Sequence, residues 1–414
     1  MLRSDNPPPH CAGRSAIHVS GLRFIHTADW QIGKPYKAIA DDQKRFKLQQ
    51  ERLAAISRIR DLALKTQADM LLVAGDLFDS PTPPATDVLE VLELIGEMTI
   101  PVLVIPGNHD HGALGTVWHR DDFLRHQQRM AANLQVLLSA QPLELDQAVV
   151  LPCPLLRNRD SRDPCLWLQS LDWHAISRSK VRIVLAHGGV HGFGAKDYSF
   201  DAQAQPGVSN LIDLEMLPAD QIDYVALGDW HNLKQVNDKA WYPGTPEPDR
   251  FDQGEGNQRG QVLQVEVSRQ GIPQVEVMAT GRLRWHNISF HFNGDPDLDR
   301  FERQLTSITE GRVSRDLLRL VISGSLSLAG HRRYDRCIED LRSSLLRLRL
   351  KGECHQSPEA EELEQLTCRD DDPLIAEVAT QLQHRLDTLA DADSEEAAIT
   401  RAALCELFQL TTSG

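Results

Sequence analysis

The chain has 414 residues and a formal net charge of -15 at pH 7, a length that predicts two or three domains. With 41% hydrophobic and 25% charged residues, the composition excludes a chain disordered throughout and a small disulfide scaffold. No apolar run reaches the ~18 residues of a membrane span, so we expect no membrane association. The negative charge argues against unspecific binding of DNA through a globally basic surface.

The N-terminal residues 1–21 are predicted to be a disordered extension. They contain three consecutive prolines and lack the apolar core of a signal peptide. The seven cysteines form no C-x-x-C pair, which disfavours a zinc ribbon or a disulfide framework. Free thiols of this kind are typical of a reducing compartment, so we expect a cytoplasmic protein.

Residues 22–280 alternate short apolar runs with helical stretches, which predicts a layered α/β domain. Runs such as MLLVAGD and RIVLAHG suit strands that are buried on both faces. Two helices are predicted, at Asp42–Thr66 and Thr86–Glu97. The predicted strands are Leu22–Thr27, Asp69–Gly75, Pro101–Pro106, Leu134–Leu138, Ala148–Pro152, Val181–His187, Tyr224–Gly228, Gln261–Val267 and Gln274–Met278.

The pattern changes near residue 281. Residues 281–352 read as a small α+β unit, with strands at Leu283–Asn293, Leu317–Leu328 and Leu346–Leu350 and helices at Asp295–Ile308 and His331–Ser344. An acidic linker is predicted over 353–372, and two helices over 373–414. From Lys351 onward there are 4 basic and 15 acidic residues, so most of the net charge belongs to this last part of the chain.

Five polar segments each follow a predicted strand. They are Asp29–Gln31, Gly75–Asp79, Gly107–Asp110, His187–Gly189 and Gly228–His231. Because strand ends converge on one edge of a layered α/β fold, these segments are expected to form one site. Their mixed carboxylate, amide and imidazole groups suit two divalent cations such as Mn²⁺ or Fe²⁺. Such a pair activates water and holds a phosphoryl group.

The ordered set of motifs resembles the calcineurin-like metallophosphoesterase superfamily. Within it, the chain is most similar to DNA-repair exonucleases of the SbcD type. The resemblance covers about residues 22–250 and is carried by FIHTADWQIGKPY, LLVAGDLFDS, VIPGNHD, VLAHGGV, YVALGDWHNL and WYPGTPEPDRF. It implies a layered β-sandwich metallophosphoesterase core flanked by helices, a small α+β capping domain and a C-terminal helical segment.

The resemblance also implies roles for individual residues. Asp76 would bridge two metals, with Asp29, Gln31 and His231 at the first and Asn108, His187 and Asp229 at the second. His109 would act on the scissile phosphate, with Asp110 orienting it and Asp79 supporting the loop from behind. The metals expected are two divalent ions, Mn²⁺ first, with Mg²⁺ and Fe²⁺ as alternatives.

Two positions depart from the family pattern. The family has Asp-x-His where this chain has Gln31, and Gly-His-x-His where it has Asp229. The carboxylates among the ligands therefore rise from two to three, which favours hard Mn²⁺ or Mg²⁺ over softer metals. We interpret this as a variant of the site, since Asp76 and His109 are present.

Candidate substrate-binding residues are Trp30, Lys34, Arg157 and Trp230, which lie in or near these segments. A basic cluster lies further along the chain and comprises Arg332, Arg333, Arg336, Arg342, Arg347 and Arg349. These basic residues, like Lys34 and Arg157, either contact a nucleic-acid backbone or form a solvated surface. The apolar faces Leu374/Ile375/Val378/Leu382/Leu386 and Ala403/Leu404/Leu407/Leu410 suit docking on a partner or packing within the chain.

The resemblance implies a DNA exonuclease or endonuclease that works with an SMC-like coiled-coil ATPase, and a homodimer. Two alternatives stay open on the residues alone. One is a metallophosphoesterase acting on nucleotides or phosphoproteins, and the other is a non-catalytic binding subunit with a degenerate metal site.

Overall fold

The computed structural model describes residues 21–191, 209–254, 256, 258–309, 312, 315–356, 360–369, 372–389 and 395–412. Residues 1–20 of the predicted N-terminal extension lie outside the described residues. Across the described parts of the chain, no helix is both long and apolar enough to cross a membrane.

Strands and helices alternate along most of the chain. The strands are β1 (Leu22–Thr27), β2 (Met70–Ala74), β3 (Val102–Ile105), β4 (Leu134–Val136), β5 (Leu143–Glu144), β6 (Ala148–Cys153), β7 (Val181–His187), β8 (Gly189–Val190), β9 (Leu211–Ile212), β10 (Tyr224–Gly228), β11 (Lys234–Gln235), β12 (Ala240–Tyr242), β13 (Gln261–Val267), β14 (Gln274–Ala279), β15 (Arg284–Asn293), β16 (Asp316–Leu326), β17 (Arg347–Gly352) and β18 (His355–Gln356). The α-helices are α1 (Asp42–Thr66), α2 (Ala85–Gly96), α3 (Asp121–Met130), α4 (Asp297–Thr309), α5 (Leu328–Ser344), α6 (Ala360–Thr367), α7 (Pro373–Thr388) and α8 (Glu395–Thr412). Short 3₁₀ helices cover Val117–His119, Leu166–Ser170 and Leu214–Met216.

The chain divides into two compact units. The first contains the described residues up to Gln31, together with Ser57–Gly244 and Val262–Met278. The second contains Ile32–Ile56, Thr245–Gln261 and Ala279–Gly414. Residues 32–56 and 245–261, which the sequence pattern assigned to the catalytic domain, thus belong with the C-terminal part of the chain.

The first unit is a sandwich of two six-stranded sheets, as predicted. One sheet has the order β14-β13-β1-β2-β3-β4 and the other the order β11-β12-β10-β7-β6-β5. Their facing surfaces share one core, to which Phe24 and Leu72 contribute from the first sheet and Val150, Ile183 and Ala226 from the second. The predicted layered α/β class is therefore confirmed.

The central strands of the second sheet are buried on both faces. Along β7, Ile183 and Leu185 join the core between the sheets, whereas Val184 and Ala186 pack into a separate cluster on the opposite face. This explains why these strands read as continuous apolar runs rather than as an alternation.

The topology brings the five polar segments to common edges. β1, β2 and β3 are adjacent and parallel in the first sheet, and β7 and β10 are adjacent and parallel in the second. Parallel neighbours have their carboxyl ends at the same edge. The segments that follow these five strands therefore meet at one end of the sandwich.

The second unit contains a sheet of parallel strands in the order β15-β16-β17, with β18 also paired to β16. Helices α4 and α5 connect these strands and pack on one face through Phe301, Leu305, Tyr334 and Ile338. The predicted α+β unit is thus an alternating β-α-β-α-β arrangement. Its other face carries a cluster that includes Tyr36, Leu48, Phe251 and Trp285.

Buried hydrogen bonds explain why residues 32–56 and 245–261 belong to the second unit. The fully buried Arg52 donates to Thr245 Oγ1 at 2.8 Å and to the Glu247 carbonyl oxygen at 3.1 Å. The carboxylate of Glu247 in turn accepts from the backbone N–H groups of Arg282 and Leu283. The buried guanidinium of Arg52 and the buried carboxylate of Glu247 are therefore paired within this unit.

The C-terminal helices pack on one another. Leu366, Ala379 and Leu404 form a small cluster, against which Ile375, Leu382, Leu386 and Leu407 pack. Leu374 and Val378 are exposed, and the side chain of Leu410 lies outside what the structure describes. The segment 353–372, predicted as a linker, contains β18 and α6, because Leu363 and Leu366 have partners on α7 and α8 that local sequence does not reveal.

Candidate metal centre

The loops that follow the strands hold several polar residues in the left-handed backbone region. Asp29, Gln31, Asp76 and Asp229 have φ values of 55°, 43°, 55° and 101°. For residues other than glycine this conformation costs about 1–3 kcal/mol each. Backbone bonds hold the loops together: Asp29 N donates to Gly75 O at 3.1 Å, and Gln31 N donates to Asp76 O at 2.8 Å.

Asp76 stands between two groups of donors. Its Oδ1 lies 3.7 Å from His187 Nε2 and accepts a hydrogen bond from His109 N at 2.9 Å. Its Oδ2 lies 3.4 Å from Gln31 Nε2. One carboxylate oxygen thus faces each group, which is the arrangement that a metal-bridging carboxylate requires.

One of these groups consists of the residues predicted for the second metal, His187, Asn108 and Asp229. His187 Nδ1 lies 2.7 Å from Ala74 O, and since a carbonyl only accepts, Nδ1 carries the proton. Nε2 then points to Asn108 Oδ1 at 2.9 Å and to Asp229 Oδ1 at 3.8 Å. A proton on Nε2 satisfies these oxygens in the absence of metal, and a divalent cation would take the place of that proton among the same three groups.

The other group consists of the residues predicted for the first metal, Asp29, Gln31 and His231. His231 Nε2 lies 4.0 Å from Asp29 Oδ1 and 3.3 Å from Gln31 Nε2. The oxygen and nitrogen of the Gln31 amide occupy equivalent positions after a 180° turn, so Oε1 reaches the same space as a neutral ligand. Asp229 N donates to both oxygens of Asp29 at 3.2 Å and links the two groups.

Burial concentrates negative charge in the site. Desolvation, with the charges of Asp76 and Asp229, raises the pKa of Asp29 to about 6. Desolvation alone would lower the pKa of His187, but the carboxylates of Asp76, Asp29 and Asp229 outweigh it and raise that pKa to about 9. Ligand atoms of Asp29, Asp76 and His187 lie within 4.8 Å of one another. Donor chemistry, spacing and charge all fit divalent cations.

Comparison with known proteins identifies the family. Residues 22–233, slightly more than half of the chain, match the family model described as calcineurin-like phosphoesterase. The chain belongs to the calcineurin-like phosphoesterase family. This confirms the resemblance predicted from the motifs and the class of metal-dependent phosphoesterases that the resemblance implied.

Three similar proteins are named as the D component of the nuclease SbcCD. The chain is 25% identical to that of Staphylococcus epidermidis over 240 residues, which cover 52% of this chain and 58% of the relative. It is 26% identical to that of Bacillus subtilis over 251 residues, covering 54% and 61%. A shorter match to the Staphylococcus saprophyticus protein is 32% identical over 96 residues, covering 22% and 23%. The phosphoesterase thus matches less than two thirds of each relative's length.

His109 lies at the edge of the phosphoesterase site rather than within the donor groups. Its side chain is 39% exposed, and its Nε2 lies 4.0 Å from Asp76 Oδ2. The orienting contact predicted from Asp110 comes instead from Asp79, whose carbonyl oxygen lies 3.1 Å from His109 Nδ1. Since a carbonyl only accepts, Nδ1 donates this bond, and Nε2 is the nitrogen on the side of Asp76.

Asp110 binds backbone N–H groups of two site loops. Its fully buried carboxylate accepts from Phe78 N at 3.0 Å and from Gly107 N at 2.8 Å, so it joins the second and third site loops. Desolvation, with the charge of Asp76, raises the pKa of Asp110 to about 7. The prediction that Asp110 orients His109 directly is therefore corrected, because the carboxylate points toward backbone donors and not toward the imidazole.

The predicted substrate-binding residues have different surroundings in the structure. Trp30 and Trp230 are 1% and 8% exposed, so both pack in the interior and neither offers a ring face to a base. Lys34 belongs to the second unit and pairs with Asp249 Oδ2 at 3.1 Å. Arg157 is exposed on the loop between β6 and β7.

Sequence reasoning missed Asn158, the neighbour of Arg157. Asn158 Nδ2 donates to the Asn108 carbonyl oxygen at 2.8 Å, and its own carbonyl accepts from Asn210 Nδ2 at 2.9 Å. These bonds fix the arginine-bearing loop against the loop that carries Asn108. A lone asparagine between two arginines gives no signal of such a contact, which depends on residues about 50 positions away.

Proposed function

We propose that this phosphoesterase is a two-metal-dependent phosphodiesterase that acts on DNA ends, as an exonuclease or endonuclease. The observation that carries the proposal is the position of Asp76, whose two oxygens face two separate donor groups. The names of the relatives, each a component of a nuclease, support DNA as the substrate.

The side chains divide the work as follows. Asp29, Gln31 and His231 would hold one cation, Asn108, His187 and Asp229 would hold the other, and Asp76 would supply a ligand to each. When bound, such a pair of cations supplies an activated water and neutralises charge on the phosphoryl group. His109, whose side chain is partly exposed and whose Nε2 lies near Asp76, serves as the general acid or as the donor that stabilises the transition state.

Mn²⁺ is the proposed metal, with Mg²⁺ and Fe²⁺ as the alternatives. Three carboxylates, those of Asp29, Asp76 and Asp229, face the site, whereas the family pattern supplies two. Carboxylate and amide oxygens favour hard cations over soft ones. Asp229 is the residue that shifts the expected metal preference of this chain toward hard cations.

Further parts of the proposal concern partners. The relatives are named as one component of a multi-subunit nuclease, which supports a second, different polypeptide, and an SMC-like coiled-coil ATPase is the partner we propose. A homodimer and a cytoplasmic location stay predictions from the sequence.

The test uses the purified full chain with Mn²⁺ and DNA labelled at the 5′ or the 3′ end, both duplex and single-stranded. A small phosphomonoester is assayed in parallel. Release of nucleotides from DNA is the expected result. Hydrolysis of the monoester alone would favour action on nucleotides or phosphoproteins. A protein that binds no metal and cleaves neither substrate would be a binding subunit with a degenerate site, which overturns the proposal.

A further inference from the structure

The second unit contains an arginine cluster that the metal centre does not use. It consists of Arg319 on β16 and Arg347 and Arg349 on β17. In the parallel register of these strands, Arg319 lies directly opposite Arg349, and Arg347 lies two residues earlier on the same face of β17. Like charges directly opposite each other destabilise a sheet. The placement therefore costs stability unless a ligand compensates it.

Acidic residues do not neutralise this cluster. Among the residues that the structure describes, no carboxylate oxygen lies within 4.0 Å of the charged nitrogens of Arg319, Arg347 or Arg349. Asp252 is the one acid whose charge acts appreciably on Arg319, and its effect is smaller than that of Arg349. Desolvation and the neighbouring arginines lower the pKa of both Arg319 and Arg347, so each guanidinium carries its charge at a cost.

The Arg319 guanidinium uses only part of its hydrogen-bonding capacity within the described structure. One of its N–H groups, on Nη1, donates to the Asp252 carbonyl oxygen at 3.0 Å, and the guanidinium lies 5.0 Å from the centre of the Phe251 ring. Its Nε is buried without a hydrogen-bond partner in the described structure. A buried donor left unpaired costs about 1–3 kcal/mol, so the position of this guanidinium is not explained by its contacts within the chain.

The three arginines line concave space rather than an open surface. They share a cavity of about 230 Å³ with Lys37, Arg250 and Phe251. A second cavity of about 290 Å³ is also lined by Arg347 and Arg349 and extends to Lys44 and Arg342. The acids on these walls are Asp249, which pairs with Lys34, and Asp41, which accepts from Lys44 N at 3.0 Å.

We propose that this groove, formed by Arg319, Arg347 and Arg349, is a binding site for a phosphate group. Three guanidinium groups present paired N–H donors in the planar geometry that suits phosphate oxygens. Phe251 and Trp285 beside it are buried, so the groove recognises the phosphate and not a base. The phosphate belongs either to a polynucleotide backbone or to a free mononucleotide. That the ligand is one of these two rests on the proposed function.

The basic cluster predicted from the sequence included Arg347 and Arg349 but not Arg319, and it grouped them with arginines that lie outside the groove. The predicted cluster includes Arg333, which bridges to Glu302 and Asp299 at 2.7 Å on a different surface of the unit. Arg319, by contrast, is 28 residues from Arg347 and joins the groove only through strand pairing. The exposed Arg332 and Arg336 lie outside the groove and provide a control with the same loss of charge.

The test compares the double variant R347Q/R349Q with the double variant R332Q/R336Q in EDTA, which keeps cations out of the metal centre. The probes are a fluorescein-labelled oligothymidylate, followed by anisotropy, and thymidine monophosphate, followed by calorimetry. We expect R347Q/R349Q to bind the oligonucleotide about ten-fold or more weakly, with the salt dependence of log affinity reduced by about 2. R332Q/R336Q should stay close to the unmodified protein.

Binding of the monophosphate would identify a free nucleotide as a ligand, and binding of the oligonucleotide alone would identify the backbone. Equal losses in the two double variants, or no binding of either probe, would overturn the proposal. Misfolding is checked by thermal unfolding, where removing like charges should leave the midpoint of R347Q/R349Q unchanged or higher. Hydrolysis of bis(p-nitrophenyl) phosphate by the unmodified protein with Mn²⁺ reports on the proposed function separately.

Discussion

The imidazole of His187 lies directly against the α-carbon of Gly75. A Cβ built on residue 75 would be 2.2 Å from His187 Nδ1 and 2.9 Å from the Gly107 Cα, and Gly75 itself has φ +88°. His187 is held there by the hydrogen bond from Nδ1 to Ala74 O at 2.7 Å. The loop that carries Asp76 therefore passes beneath a metal-ligand candidate with no room for a side chain.

Replacing Gly75 with alanine should displace His187 and weaken metal binding by about 10- to 100-fold, the usual effect of disturbing a ligand's support. Calorimetric titration with Mn²⁺ measures the change. The matched control is Gly115→Ala, since Gly115 has φ +87° and open space around it. That variant should lose about 1–2 kcal/mol of stability and keep its metal affinity. Equal metal affinities in the two variants would contradict the steric argument.

Metal preference should depend on Asp229. Its Oδ1 lies 3.8 Å from His187 Nε2, and replacing it with histidine removes one negative charge and supplies a softer ligand. We expect Asp229→His to lower the ratio of Mn²⁺ affinity to Zn²⁺ affinity, because imidazole nitrogen favours the softer cation. Titrations with both metals measure this ratio. Asp229→Asn is the control that removes the charge alone, and an unchanged ratio in Asp229→His would refute the assignment of Asp229 as a ligand.

His109 should matter for turnover and not for metal binding. Its side chain is partly exposed and lies 4.0 Å from Asp76 Oδ2 through Nε2, outside the two donor groups. We expect His109→Gln to lower kcat for a phosphodiester by about 100-fold or more, the usual contribution of a general acid, with the bound metal unchanged. His111→Gln, in the same loop, is the matched control. A loss of metal from the His109 variant would show that His109 is a ligand.

His26, on β1 of the first sheet, bonds to residues of β10 in the second sheet. Its Nε2 donates to Leu227 O at 3.2 Å, and its Nδ1 lies 3.0 Å from the Tyr224 hydroxyl. Desolvation lowers the pKa of His26 to about 3. Below pH 6.5 the unfolded chain therefore binds a proton that the folded state excludes, and stability falls as the pH falls.

Relative to His26→Asn, the wild-type protein should lose roughly 1.4 kcal/mol of unfolding free energy per pH unit below 6.5. Urea denaturation at pH 7.5, 6.5 and 5.5 measures this difference, and contributions from other titrating groups cancel in the comparison. Parallel stability profiles for the two proteins between pH 7.5 and 5.5 would show that His26 does not account for the dependence.

Element types were predictable where one local pattern dominates. The bounds of β1, β7, β10 and β13, and of the long helix α1, agree with the sequence prediction, because continuous β-branched runs and helical periodicity both reflect burial. Short strands such as β8, β9 and β18 were missed. Their pairing partners lie elsewhere in the chain, and a strand of two residues is too short to show an alternation of apolar and polar residues.

The candidate donor residues were also accessible from the sequence. Each follows a strand, and adjacent parallel strands end at one edge, so Asp29, Asp76, Asn108, His187 and Asp229 had to converge. What each side chain does there is a matter of orientation. Asp110 turns to the backbone of Phe78 and Gly107, Asp79 takes the place beside His109, and both site tryptophans turn inward.

The sequence alone therefore determined the family, the order of the main elements and the set of candidate metal donors, because these follow from periodicity and from residues that stand next to strand ends. Only the tertiary structure decided the rest. It assigned residues 32–56 and 245–261 to the second unit through the bonds of Arg52 and Glu247, and it placed Arg319 opposite Arg349. Both outcomes depend on pairing between residues far apart in the chain, and local pattern carries no information about such pairs.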